Sequence, residues 1–308
     1  MNISSPSCGM TMPNETYGPD ELLTRASSSY SEYRNARSSH VSPMAFPQGM
    51  HTFARPVVSA SDMPPETVRA VADHIGDWAD RLDEHCRGDL DPVRARIDFR
   101  ELPSDVALLA NDVLGQGEVS AIIDSDPVTL IQETAFAGLW RVVSLDDAGV
   151  VVSDHTEIGR FPSVVSRRLR DEPRWSLPDS AVAGVRSAVA GVLAELRPHL
   201  ESGIWVEDAQ PHVVALTLLP LSQDDIMWMA QAFGVGSAVI LSRGYGNCRI
   251  TSTRVQNLWW VQYFNSEDKM ILNTLEVAAV PDAAQAAPED LLASAARLRD
   301  WAKELTVP

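Results

Sequence analysis

Between Pro65 and Arg87 the apolar side chains recur at a helical spacing. Val68, Val71, Ala72, Ile75, Trp78, Ala79 and Leu82 fall at i, i+3, i+4, i+7 intervals, which predicts a helix with one buried face. Pro65 suits the first turn and Gly88 the stop. The opposite face carries Asp73, Asp77, Asp80, Asp83 and Glu84, and reads as a solvated stripe. After this helix the period changes. A strand pattern from Val93 to Arg100 leads into a helix with Ser104 as N-cap, closed by the glycine pair Gly115 and Gly117. About four short strands rich in Val, Ile, Thr and Trp follow. A helical pattern from Ala181 to Leu200 ends the series.

The series then runs again. A strand from Val213 to Leu219 precedes a helix capped by Ser222 and closed at Gly234 and Gly236. Strands are predicted from Ala238 to Ser242, Cys248 to Thr253, Leu258 to Phe264 and Met270 to Leu275, and a last helix from Glu289 to Leu305. A shift of 119 positions aligns the two series without a gap over about 70 residues. Identities include Leu102/Leu221, Asp105/Asp224, Gly115/Gly234, Gly117/Gly236, Ile131/Ile250, Thr134/Thr253, Trp140/Trp259, Val142/Val261, Glu157/Glu276 and Pro162/Pro281. This predicts an α+β fold of two tandem duplicated domains, residues 91–202 and 210–308, each a small, mostly antiparallel sheet with flanking helices. The helix at 63–90 and an arm at 1–62 precede them. The first copy has extra residues before its last helix, with the basic patch Arg167, Arg168 and Arg170.

Alternation sorts the strand from Leu258 to Phe264 into two faces. Trp259, Val261 and Tyr263 share one, and Trp140 and Val142 recur there, so it is the expected core. On the other face Trp260 aligns with Arg141. The copies diverge at that point, through either specialisation or a contact between them.

Composition narrows the function. The arm is rich in Ser, Pro, Asn, Met and Gly and is expected to be disordered, apart from the apolar segment Phe46-Pro-Gln-Gly-Met-His-Thr-Phe53, which suits packing on a partner or on the body. The formal charge of −17 argues against non-specific nucleic-acid binding and against docking on an anionic membrane. No apolar run approaches the roughly 20 residues of a membrane span. The opening MNISSPSCGM lacks the basic and apolar regions of a secretory signal. Cys8, Cys86 and Cys248 lie far apart, which disfavours a disulfide framework or a cysteine zinc site and suits a reducing cytoplasm. The seven histidines show no HxxxH or HExxH spacing, so no metal site is expected. The GxG pairs follow helices and precede strands, the reverse of a dinucleotide fingerprint. No phosphate-binding GKS/GKT and no G-x-S-x-G elbow occurs. The densest cluster of unusual residues is the inter-strand segment Arg243-Gly-Tyr-Gly-Asn-Cys-Arg249. Its first-copy equivalent holds Asp124 and Asp126, so one copy has a basic loop and the other an acidic one.

At these residues the chain resembles a known family. Residues 241–281, LSRGYGNCRITSTRVQNLWWVQYFNSEDKMILNTLEVAAVP, are similar to the signature of the HupH/HyaF hydrogenase-expression family. Gly115 to Val142 resembles that family's first copy, and FPQGMHTFARP, residues 46–56, a short motif ahead of it. The resemblance implies a non-enzymatic, cytoplasmic accessory chaperone of nickel–iron hydrogenase maturation without a cofactor. It implies binding of the iron–sulfur small-subunit precursor before assembly and export, and contact with other maturation proteins. Two alternatives are an iron–sulfur or active-site cofactor-handling factor, with Cys248 near the cluster, and a scaffold for other maturation proteins. Candidate partner-binding residues are Arg243, Tyr245, Asn247, Arg249, Trp260, Gln262 and Asn265, with Gln132, Glu133 and Phe136 in the first copy and Phe46, Met50 and Phe53 in the arm. Gly244, Gly246, Trp259, Glu276, Glu118 and Trp140 also match the signature.

Overall fold

A computed structural model describes residues 63–179, 187–202, 210–244 and 246–306. The predicted arm, its Phe46–Phe53 segment and Tyr245 lie outside the described residues. Helix α1 (Pro65–Arg87) spans the predicted range, with Gly88 in the left-handed conformation closing it. Strand β1 (Arg96–Asp98) is shorter than the pattern suggested and runs into a 3-10 turn at Phe99–Glu101. Helix α2 (Ser104–Leu114) follows, then β2 (Val119–Ile123), β3 (Val128–Glu133), β4 (Leu139–Leu145) and β5 (Val151–Ile158). The basic patch folds as an unpredicted helix, α3 (Ser163–Asp171). The helix predicted from Ala181 is described as α4 (Ser187–Glu201). The second series comprises β6 (His212–Ala215), a 3-10 turn, α5 (Gln223–Phe233), β7 (Ala238–Ser242), β8 (Asn247–Ser252), β9 (Leu258–Phe264), β10 (Met270–Val277) and α6 (Pro288–Thr306).

The expected pair of small sheets is instead one antiparallel sheet of ten strands, in the order β1-β5-β4-β3-β2-β7-β8-β9-β10-β6. The physical reason is the edge. In separate sheets β2 and β7 would each leave a row of backbone groups unpaired, and joining them removes both edges. The seam has a local two-fold relation. Ala121 pairs with Ile240, its own counterpart at a distance of 119, and Val119 pairs with Ser242 as Ile123 pairs with Ala238.

Positions 119 apart make the same bonds on the two sides. Trp140 Nε1 donates to the Gly159 carbonyl at 2.9 Å, and Trp259 Nε1 to the Ala278 carbonyl at 3.1 Å. The Thr134 hydroxyl accepts from the Phe136 N–H, and the Thr253 hydroxyl from the Val255 N–H. Gly117 N–H donates to the Glu133 carbonyl, and Gly236 N–H to the Ser252 carbonyl. A Cβ at either glycine would collide with the carbonyl of Thr134 or Thr253, so the close approach requires glycine there.

Among the described residues, three apolar clusters hold the sheet. One seals the face that bears Trp140, Val142, Trp259 and Val261, the face expected as core, under Val164 and Val165 of α3 and Val280, Ala284 and Leu291. The other two lie on the opposite face, at its ends. At the first end α1, α2 and α6 pack on Phe99, Phe136, Leu139 and Ile158. At the second, α4 and α5 pack on Val214, Leu258, Leu275 and Val277.

Candidate binding face

The face with a helical cluster at each end carries the candidate site. Neither of those clusters contains a residue of the four central strands β3, β2, β7 and β8. Register lines the side chains there into rows. One row runs Thr156, Arg141, Gln132, Ser120, Leu241, Arg249, Gln262, Asn273 from β5 to β10, and Leu241 is its single apolar member. The row beside it runs Asp154, Val143, Leu130, Ile122, Val239, Thr251, Trp260, Leu275 and is mostly apolar. A polar stripe thus lies against an apolar one across both halves of the sheet.

The candidate residues divide by face. Gln132, Arg249 and Gln262 stand in the polar row, and Trp260 in the apolar one. The Gln132 amide reaches the carbonyl oxygens of Gly117 and Val119 at 3.2 Å. Gln262 Nε2 contacts Met270 Sδ at 3.6 Å. Trp260 is half-buried against the α4–α5 cluster, with Nε1 donating to Asn273 Oδ1 at 2.5 Å. Its counterpart Arg141 stacks 3.5 Å from the Phe99 ring centroid and pairs with Asp154 at 2.5 Å. The divergence at this position therefore serves two different end clusters, and neither residue bridges the halves.

Four candidates lie outside both rows. Phe136 has no exposed surface and lies beneath Arg297, at 5.0 Å from its ring, because the Thr134 turn folds it inward; it is a core residue. Glu133 points to the sealed face, one residue out of phase with Gln132. Its carboxylate accepts from the backbone N–H groups of Glu118 and Val119, both at 3.2 Å. Burial pushes its pKa up to about 7 against those two donors. Asn265 shapes the β9–β10 hairpin, its side-chain oxygen accepting from Glu267 and Lys269 N–H at 2.9 Å. Asn247 Nδ2 donates to Asp268 in that hairpin at 3.2 Å.

Arg243 lies where β7 ends, its N–H donating to the Glu118 carbonyl at 3.2 Å. The basic and acidic loops do not meet. The seam is antiparallel, so Arg243 and Gly244 sit beside Glu118, while Asp124 N–H bonds to the Ser237 carbonyl at the other end. Sequence reasoning passed over Arg141, Ser120, Thr156 and Asn273 as members of the polar row. The signal that finds them is register across the seam, which local alternation does not give.

Cys248 is 5% exposed on the sealed face. Burial, with the nearby Glu276 charge, pushes its thiol up to about 12. A thiol held neutral is a poor metal ligand. Among the described residues no group of three or more His, Cys, Asp or Glu is placed to hold a metal ion, and no helix is long and apolar enough to cross a membrane.

The two rows thus set a polar stripe beside an apolar one on a single ten-stranded sheet. Comparison with known proteins gives the chain its family. Residues 91–172 and 187–305 match the family described as HupH hydrogenase expression protein, C-terminal conserved region, and the chain belongs to that family. It is 42% identical over 260 residues to the hydrogenase expression/formation protein HoxQ of Cupriavidus necator, covering 83% of this chain and 89% of that one. It is 38% identical over 264 residues to the hydrogenase expression/formation protein HupQ of Azotobacter chroococcum, with 83% and 89% covered. A solved hydrogenase expression protein HupH from Thiobacillus denitrificans aligns with 36% of this chain and 90% of its own, at 24% identity and a TM-score of 0.33. The first two relatives bear the name hydrogenase expression/formation protein, and the solved one the name hydrogenase expression protein.

Proposed function

We propose that this protein is a non-enzymatic, cytoplasmic chaperone of nickel–iron hydrogenase maturation that binds the iron–sulfur small-subunit precursor before assembly and export. The central sheet face is its docking surface. The observation that carries this reading is the paired polar and apolar rows spanning both halves in a chain of the HupH family. Arg249 and Trp260, residue types that anchor interfaces, stand on this face with Gln262 beside them. The identical bonds 119 residues apart support descent of the two halves from one duplicated unit, with residues 91–202 and 210–308 as the copies. A single two-sided face then lets both copies engage one partner.

The test is capture of the small-subunit precursor by the full chain. Arg249→Ala and Gln262→Ala each weaken capture by about tenfold or more, the effect of losing roughly 1.4 kcal/mol at an interface. Arg170→Ala, on α3 across the sheet, leaves it unchanged. Capture that is equal in all variants removes the face from the reading, and a precursor that never co-purifies removes the partner. The burial and raised pKa of Cys248 weigh against the cofactor-handling alternative.

A further inference from the structure

The side of the sheet away from the central face carries a track of arginines. Helix α3 buries Val164 and Val165 in the sealed cluster, with Leu169 packed beside them, and turns Arg167 and Arg170 to solvent. Residues 163–175 hold Arg167, Arg168, Arg170 and Arg174 against two carboxylates, Asp171 and Glu172. Beyond α3 the chain crosses to the second half. Trp175 N–H donates to the Arg254 carbonyl at 3.0 Å, and Trp175 forms a parallel bridge with Val255. That pairing brings Arg174 and Arg254, the residues just before each partner, to one cleft, with Leu169, Glu172, Gln256 and Asn257 as further lining.

Three features separate this track from an ordinary solvated surface. First, its charge is uncompensated. Among the described residues Arg167, Arg168, Arg170, Arg174 and Arg254 make no ion pair, whereas Arg81, Arg94, Arg141 and Arg299 each hold a carboxylate. Glu172 is engaged by the Ser237 hydroxyl, and Arg168 reaches the Asp126 carbonyl, at 3.3 Å, rather than its carboxylate. Second, the backbone pairing fixes two cations on one cleft, an arrangement that costs stability until an anion joins them. Third, the Arg254 guanidinium lies 4.9 Å over the Trp175 ring, and that indole is 40% exposed. An Arg and a Trp, residue types that anchor interfaces, thus stand at the rim of the cleft. On a chain of formal charge −17 the patch runs against the prevailing field.

We propose that this track, from Arg167 along α3 to Arg174 and Arg254, is a second docking surface, and that its partner is an acidic protein segment whose carboxylates meet the arginines. A guanidinium pairs with a carboxylate through two parallel hydrogen bonds, so separate arginines fix successive Asp or Glu side chains. Nucleic acid is disfavoured, because the rest of the chain repels its closely spaced phosphates. The surface lies across the sheet from the central face, so it stands whether or not the precursor docks there.

Fluorescence anisotropy of a labelled oligoglutamate peptide, titrated with the full chain at low ionic strength, tests this. The wild-type chain binds the peptide, and its affinity falls as salt is added. Arg170→Glu with Arg174→Glu, both exposed, weakens binding by about tenfold or more. Arg170→Ala with Arg174→Ala, a milder change, weakens it in the same direction. Arg69→Glu with Arg87→Glu alters the net charge equally at exposed positions of α1 and leaves the affinity within about twofold of wild type. Far-ultraviolet circular dichroism is the same in all chains. Equal weakening by the two charge reversals overturns the surface, and so does a wild-type chain that binds no peptide. An oligothymidylate of equal charge is titrated alongside. Tighter binding of that strand, lost in the Arg170→Glu with Arg174→Glu chain, overturns the acidic protein partner in favour of nucleic acid.

Discussion

Two buried titratable side chains of the first half oppose each other in their effect on stability. Glu133, ordinarily 4.5, is pushed up to about 7 by burial. His155, ordinarily 6.5, is pushed down to about 4 by burial and then by the Arg96 charge. For Glu133 the folded chain holds a proton that the unfolded chain has released, so its contribution is complete below about 4.5 and is lost as pH rises through 7. For His155 the unfolded chain takes up the proton first, so its contribution is complete above about 6.5 and is lost as pH falls through 4. The two slopes overlap with opposite sign and nearly cancel in the wild type. Removing one exposes the other. Relative to wild type, Glu133→Gln gains stability as pH rises from 4.5 to 7, and His155→Gln gains as pH falls from 6.5 to 4, each by about 2–3 kcal/mol at the far end. Denaturant unfolding of the three chains across that range measures the slopes, and parallel curves would refute the assignment.

The two helices that follow the outer strands show how a shared pattern takes different local forms. Both were expected to open on a serine cap. Ser222 does so, forming a reciprocal capping box with Asp225. Ser104 lies inside α2, after Pro103, and makes no such cap; instead Thr67 of α1 bonds to the neighbouring Asp105. Ser222→Ala therefore costs about 1 kcal/mol and Ser104→Ala close to none, as read by chemical denaturation. A one-residue difference in where the serine falls explains the mismatch. The helices and their caps are 119 apart, so Ser222 corresponds to Pro103 and Ser104 to Gln223, and only the second copy has a hydroxyl at the cap position. Elements like these were legible where one face repeats, as in α1, β7 and β9, whose limits agree with the pattern. The basic segment of α3 was not legible, because a single buried pair, Val164 and Val165, gives too short a period to read. The candidate face was half legible. Alternation placed Gln262 and Trp260 opposite Trp259 and sets the adjacent Gln132 and Glu133 on opposite faces, but only pairing shows that Gln132 shares a row with Arg249 and Gln262 across the seam.

At the scale of the molecule, the seam decides whether the halves are partners or one body. Two sheets linked only by chain would unfold independently, each with its own core. Here β2 and β7 share five paired positions, and Val119, Ala121, Ile123, Ala238 and Ile240 all enter the cluster that also holds Trp140 and Trp259. Melting one half therefore strips both hydrogen-bond partners and apolar cover from the other, which couples their stabilities. Ile240→Ala, at the fully buried centre of the seam, removes atoms from that shared cluster and costs about 2–4 kcal/mol. The informative readout is where the loss appears. Native-state hydrogen exchange followed strand by strand shows β3–β4 and β8–β9 losing protection by the same amount in Ile240→Ala, although the substitution lies in only one half. Loss confined to β8–β9 would mean that the halves open separately. A single body matters for binding, because a face built from both halves keeps its two rows in register only while the seam is closed.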